Sequence, residues 1–215
     1  MFPGFSVAHL EEVRGTTEPS GEVGAENTAS GTEIPRLAQL EVAGFRLGLL
    51  ALPAAVEDSF YRYNNLPARL AALYRGVDPI DPDEDLLEEA EPVAMRMISQ
   101  SYLLDEVIDA IYQGLDRLPD ELILRRADEE PRALLGNRRA VLLGIKEKIA
   151  ADWRVASVAE RLASTFSIAV AARPLLVHQA AVGPPDQPLS NRASELLGHE
   201  VEVWLDEADR VVRVR

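Results

Sequence analysis

The end of the chain constrains the fold more than any other stretch. From Glu200 to Leu205 the residues read EVEVWL, residues 206–209 (DEAD) can turn, and residues 210–215 (RVVRVR) return. A period of two places alternate side chains on opposite faces of a strand. With residues 206–209 as the loop, Glu202 faces Arg213 and Glu200 faces Arg215 on one side. Val201 faces Val214 and Val203 faces Val212 on the other. Opposite charges meet on one face and β-branched side chains on the other, as a hairpin requires. Trp204 falls on the charged face in this register. A lone hairpin is marginal in water, so other elements must cover its apolar side.

The middle of the chain supplies helices. Asn64 and Asn65 precede Pro67, a residue tolerated in a first helical turn, and Leu66, Leu70, Leu73 and Tyr74 recur at helical spacing up to Gly76. Asp81 reads as a cap, with Pro82 as the first helical residue and Glu84 as the capping-box partner. Pro92 then breaks or restarts that helix. Across residues 93–117, Met97, Leu104, Ile108, Ile111 and Leu115 form one stripe, with Asp105, Glu106, Asp109 and Asp116 off it. Asn137 to Ala151 is periodic through Val141, Leu142, Ile145 and Ile149. Ser157 and Glu160 match a second capping box, opening a helix that carries Leu162 and Phe166. Residues 167–170 and 173–177 suit either helix or strand, residues 183–186 form a loop, and Gly198 closes a short turn of helix.

A second hairpin is expected near the start of this body. Turning at Ala43-Gly44 pairs Val42 with Phe45, Glu41 with Arg46 and Leu40 with Leu47. The fold class is therefore α+β: a helical middle of about five to six helices flanked by two hairpins, which share one sheet if they meet. Residues 34–215 read as one domain, helical over about 54–166 and β over about 167–215. Residues 15–33 are rich in Gly, Ser, Thr and Glu, and so read as a flexible linker. Together with the apolar Phe2, Phe5, Val7, Leu10 and Val13 before it, this makes residues 1–33 a flexible segment with a short apolar tether.

Several chemistries are excluded or unsupported. The chain has no cysteine, which removes disulfides, thiolate metal sites and cysteine nucleophiles. His9, His178 and His199 lie far apart and in no metal-ligand spacing. An EF-hand reading from Asp81 puts Leu86 at the turn glycine and Pro92 at the bidentate glutamate. The thirteen glycines form no phosphate-cradling loop, and no nucleophile elbow occurs. Asp105 and Asp109 share a helix face but read as solvated. No catalytic residue, cofactor or metal is expected. No membrane span or signal peptide is visible, so the expected location is cytoplasmic.

The net charge of −14 opposes binding to nucleic acid. Its distribution is uneven. Residues 78–91 carry eight acidic residues and no basic one, whereas residues 122–161 carry nine Lys/Arg against six Asp/Glu. Residues 154–173 loosely follow a helix-turn-helix, with residues 166–173 as the recognition helix and Arg154, Arg161 and Arg173 as phosphate contacts. That pattern supports an alternative reading as a regulator of DNA or of a DNA-binding partner. The leading expectation is a non-enzymatic protein-binding or assembly component, a subunit, adaptor or chaperone-like factor that binds other proteins or its own copies. Phe2, Phe5 and Leu10 are its candidate contacts at the N-terminus. Trp204, Arg213 and Arg215 are those of the terminal hairpin, whose edge could accept a partner strand. An enzyme with a site assembled from distant residues is the third reading.

Overall fold

The computed structural model describes residues 33–119, 121–130, 134–135 and 137–215. Its first element is helix α1, Glu33–Val42, in place of the expected first hairpin. Ile34, Leu37, Ala38 and Leu40 recur with a period near 3.6 and are buried. The turn foreseen at Ala43-Gly44 is instead the helix end. Gly44 is left-handed at φ +86°, its N–H donates to Glu41 O at 3.0 Å, and Phe45 N–H reaches back to Leu40 O at 2.9 Å. This pair of bonds is a Schellman cap, and the Leu40 and Phe45 side chains join the same core, as that motif favours.

Residues 46–48 then run parallel to Val211, with Val211 N–H donating to Arg46 O and Gly48 N–H to Val211 O, both at 2.8 Å. Gly48 is needed for that approach. A Cβ there would sit 2.5 Å from Asp206 Oδ2 and 2.9 Å from Arg210 Cβ.

Strand β1, Leu49–Leu52, leads into the helical layer: α2 Ala54–Tyr63, α3 Leu66–Leu73, α4 Glu84–Gln100, α5 Asp105–Leu115, α6 Arg138–Ala151 and α7 Val155–Thr165. Pro67 lies in the first turn of α3, and Asn137 caps α6 by accepting from Ala140 N–H at 3.0 Å. The expected start of α4 moves by two residues, because Asp83 rather than Asp81 is the cap and accepts from Asp85 N–H at 3.0 Å. Pro92 does not break α4. It lies inside the helix on the exposed side, as does Glu88, so the carbonyl that Pro92 leaves without a donor faces solvent. The stripe over residues 93–117 divides between α4 and α5. Its step of seven from Met97 to Leu104 spans residues 101–104, which leave the helix at an extended Ser101 (ψ 154°). Helix α7 starts at Val155, ahead of the predicted Ser157, whose hydroxyl donates to Ala151 O instead.

The main sheet has the order β1-β4-β2-β3, with β2 Leu122–Arg126, β3 Leu134–Leu135 and β4 Leu175–Gln179. β4 is antiparallel to both of its neighbours. Leu50, Leu52, Leu122, Leu124, Leu175 and Val177 face the helical layer. Ala51 and Leu176 face a second core formed by α1, by α8 (Gln187–Leu197) and by the terminal hairpin. Asp186 caps α8 through a 2.8 Å bond from Leu189 N–H, and a left-handed Gly198 ends it. The molecule is thus α+β in three layers, with eight helices among the described residues rather than five to six.

The terminal hairpin forms as β5 Val203–Leu205 and β6 Val211–Val214, but its register is two residues from the expected one. Val203 faces Val214 and Trp204 faces Arg213. Two one-residue adjustments produce this shift. The loop is tighter than foreseen, with Asp206 N–H bonded to Arg210 O at 2.9 Å and Asp209 left-handed at φ +57°. Val212 is then bulged, since Leu205 faces Val211 while Trp204 faces Arg213. One slip swaps the faces and a second restores them, so Trp204 still shares a face with Arg213. The hairpin is a separate two-stranded sheet, linked to the larger one through residues 46–48. No helix among the described residues is long and apolar enough to cross a membrane.

Candidate functional site

Two consecutive arginines end strand β2, and a strand points consecutive side chains to opposite faces. Arg125 and Arg126 are both buried, at 0% and 2% exposure, one in each core. Arg125 makes a two-pronged pair with Glu33, Nη1 to Oε2 at 2.5 Å and Nη2 to Oε1 at 2.6 Å. The Glu33 carboxylate also accepts from the backbone N–H of Asp128 at 2.9 Å and of Val214 at 3.4 Å. Arg125 Nε donates to His178 Nε2 at 2.9 Å. A guanidinium only donates, so Nε2 is the bare nitrogen of a neutral ring and Nδ1 carries the hydrogen, which goes to Gln179 O at 2.6 Å. Burial, reinforced by the Arg125 charge, pushes the His178 pKa down to about 4.

Arg126 enters the helical side of the sheet. It binds Glu57 through Nη1 at 2.8 Å and Nη2 at 3.0 Å, and Asp152 Oδ2 through Nη2 at 2.6 Å. Asp152 Oδ1 takes a further 2.6 Å bond from Arg173 Nη2, and Glu57 Oε2 one of 2.8 Å from Arg173 N–H. Next to this network, Arg161 lies 5.2 Å above the Trp153 ring, and Trp153 Nε1 donates to the Tyr61 hydroxyl at 2.8 Å. Burial raises the pKa of the Tyr61 phenol and pushes that of Tyr74 up to about 12, so both stay protonated. These groups fasten helices and sheet together.

The surface above them is shaped differently. A depression of about 280 Å³ opens over Asp152, with Glu160, Arg161, Ser164, Val170 and Arg173 on its walls. Phe166, which lies between Ser164 and Val170 in the sequence, is the residue that ends α7. Phe166 is 65% exposed and left-handed, at φ +54°. A helix end of this kind normally holds glycine, because a Cβ in that conformation costs energy. The turn is nonetheless well held: Phe166 N–H bonds Leu162 O at 2.9 Å, Thr165 Oγ1 donates to Ser167 O at 3.3 Å, and Ala169 N–H donates to Ser167 Oγ at 3.1 Å. A second depression, of about 410 Å³, lies between residues 182–187 and the hairpin loop.

The sequence placed Phe166 on the same helix as Leu162, or at the start of a recognition helix. The structure turns it outward. The buried arginine networks were also missed, and residues 125 and 126 had been counted toward a basic surface. An apolar strand ending in two arginines, LILRR, was the available signal.

Of the expected contact residues, Phe2, Phe5 and Leu10 lie outside the described residues. Trp204, Arg213 and Arg215 come together. Arg213 stacks 4.8 Å from the Trp204 ring and grips Glu130 at 2.7 and 2.5 Å, and Arg215 reaches the same carboxylate at 3.4 Å. The hairpin edge, however, is not open for strand addition. Along β5, Leu205 O accepts from Val182 N–H and Val203 O from Asp186 N–H, both at 2.8 Å. Val203 N–H donates to Ser190 Oγ at 2.9 Å. Along β6, Val212 O and Val214 N–H bond Arg125 and Glu33.

The helix-turn-helix expectation also fails, because residues 166–173 form no helix. Of its three basic residues, Arg161 donates to the carbonyls of Asp152, Ser157 and Ile168, and Arg173 is tied to Asp152. Arg154 is exposed at the start of α7. Among the described residues, no group of three or more His, Cys, Asp or Glu side chains is arranged to hold a metal ion. The sequence matches no protein-family model and no curated protein.

Proposed function

We propose that this protein is a non-enzymatic binding component of a larger protein assembly, and that it engages its partner through the surface around Phe166. One observation carries the reading: a large aromatic side chain is held outward in a costly backbone conformation by an ordered turn. Strained residues that a fold retains cluster at sites of function, and aromatic and arginine side chains are the usual anchors of protein interfaces. Phe166 is an exposed aromatic of this kind, and Arg161 and Arg173 line a depression of the surface. The buried ionic groups are engaged in fastening one layer to another, which suits a scaffold. Its cysteine-free composition suits a reducing compartment such as the cytoplasm.

The test is affinity capture from native lysate with the tagged wild-type chain and with Phe166→Gly, quantifying the retained proteins. One or a few near-stoichiometric partners with the wild type, reduced at least tenfold with the variant, is the expected result. Equal recovery with both chains would remove Phe166 from the interface, and no partner above background would remove the assembly reading.

A further inference from the structure

The second core closes over a titratable group. Leu176 and His178 are two residues apart on β4 and so share a face, the one covered by α1 and the terminal hairpin. His178 is 1% exposed there. Its ring has no place for a second proton. Nδ1 already donates to Gln179 O, and Nε2 accepts from Arg125 Nε at 2.9 Å. A proton on Nε2 would set two donors against each other and an imidazolium against a guanidinium.

The surroundings do not compensate that charge. Arg125 faces the ring from β2, Glu33 from α1 and Arg213 from β6, while β1 presents the uncharged Leu49. The Glu33 carboxylate is already taken by Arg125 and by the N–H groups of Asp128 and Val214. Uncovered in water, the ring takes up a proton near its ordinary value of 6.5. Burial first, and then the Arg125 charge, keep it neutral down to about 4 in the closed molecule. Falling pH therefore favours a state in which His178 is uncovered.

The layer over it is the weaker of the two. The second core has fewer than half as many buried apolar side chains as the helical one, and closure strengthens with the apolar area buried. Its polar ties converge on one pair, since Val212 O is held by Arg125 and Val214 N–H by Glu33. Regions held by fewer buried contacts open at lower cost than the whole molecule.

We infer that His178 is an acid-sensitive latch: its protonation releases α1 and the terminal hairpin from the sheet while the helical layer stays folded. Release bares the apolar face of the sheet at Ala51 and Leu176, together with Leu37 and Leu40 of α1. Phe166 ends α7 in the helical layer, so the latch is independent of the interface proposed above.

Native-state hydrogen exchange of the full-length chain from pH 7.5 to 4.5, corrected for intrinsic exchange rates, tests the latch. The amides of Leu40 and Val211 are expected to share one opening constant, at least tenfold larger than that of Ile145 and Ile149 in α6. In the wild type that constant is expected to rise roughly fiftyfold over the interval, as a value lowered from 6.5 to about 4 requires. His178→Gln still accepts from Arg125 Nε but does not titrate, and its rise is expected to be at least tenfold smaller.

Equal opening constants in the two layers would mean that α1 and the hairpin leave only by global unfolding, and would overturn the inference. A constant that does not rise in the wild type, or that rises equally in His178→Gln, would overturn it too. If the variant does not fold, the wild-type profile and the comparison between layers still decide. No partner enters these measurements, so their failure leaves the lysate capture standing as a separate test of the interface.

Discussion

Substituting Phe166 by glycine and by alanine separates stability from binding, because the two variants lose the same aromatic ring. The ring is 65% exposed, so both variants forfeit the same modest contact. They differ in the backbone. Alanine keeps a Cβ at φ +54°, a conformation that costs an L-residue about 1–2 kcal/mol. Glycine escapes that cost but loses about 0.5–1 kcal/mol more chain entropy on folding. The glycine variant is therefore expected to be the more stable of the two by about 1 kcal/mol. For a chain of 215 residues this corresponds to a gap of about 2–4 °C in Tm. Differential scanning calorimetry under matched conditions reads the gap, and urea unfolding checks it. Partner retention is expected to fall in both variants alike. An alanine variant at least as stable as the glycine one would refute the reasoning, because residue 166 would then carry no left-handed strain.

Three further predictions rest on the interior. Glu33→Gln leaves Arg125 buried against a neutral amide and is expected to cost about 3–5 kcal/mol, whereas Glu33→Leu combined with Arg125→Met is expected to cost less than either single change. A double-mutant cycle in urea measures this, and additive costs would contradict it. His178 is neutral when folded, with its pKa lowered to about 4 from 6.5. The unfolded chain therefore binds the extra proton between those values, and the stability contributed, about 3 kcal/mol, is present above pH 6.5 and lost as pH falls toward 4. His178→Gln, whose side-chain oxygen can still accept from Arg125 Nε, is expected to flatten the stability profile between pH 6.5 and 4.5; an unchanged slope would show that other groups set it. Gly48→Ala places a methyl 2.5 Å from Asp206 Oδ2, an oxygen tied to Arg210 at 2.8 Å. It is expected to destabilise by about 1–3 kcal/mol, and a urea midpoint equal to that of the wild type would contradict this.

The elements legible in the sequence were those specified by local chemistry. Asn137, Pro67 and Gly198 mark helix ends because capping needs only the residues of one turn. The terminal hairpin was legible because its faces are written in alternation, although its register depended on a left-handed Asp209 and a bulge at Val212. The α1 region misled because a reading from Leu37 onward omits Ile34, and without that residue the helical period gives way to an apparent turn at Gly44. The partners in the interior ion pairs were not legible, although the apolar run LILRR hinted that its arginines are buried. Glu33 and Arg125 are 92 residues apart, and nothing in the sequence identifies the carboxylate that an arginine faces across a core. Phe166 was hidden for the opposite reason. Its spacing suits the buried face of α7, and only the left-handed turn directs it outward.

The bond from Val214 N–H to the Glu33 carboxylate closes a separation of 181 residues. Ribosomes deliver a chain from its N-terminus onward, so α1 is complete long before the strand that covers its anchoring carboxylate exists. Until Val212 and Val214 arrive, the Arg125–Glu33 pair has one side open to water, and the second core lacks the hairpin that seals it. The helical layer can assemble as its segments emerge, while α1 is secured only after everything between has been made. During synthesis the first described helix is thus among the last parts of the molecule to be locked in place.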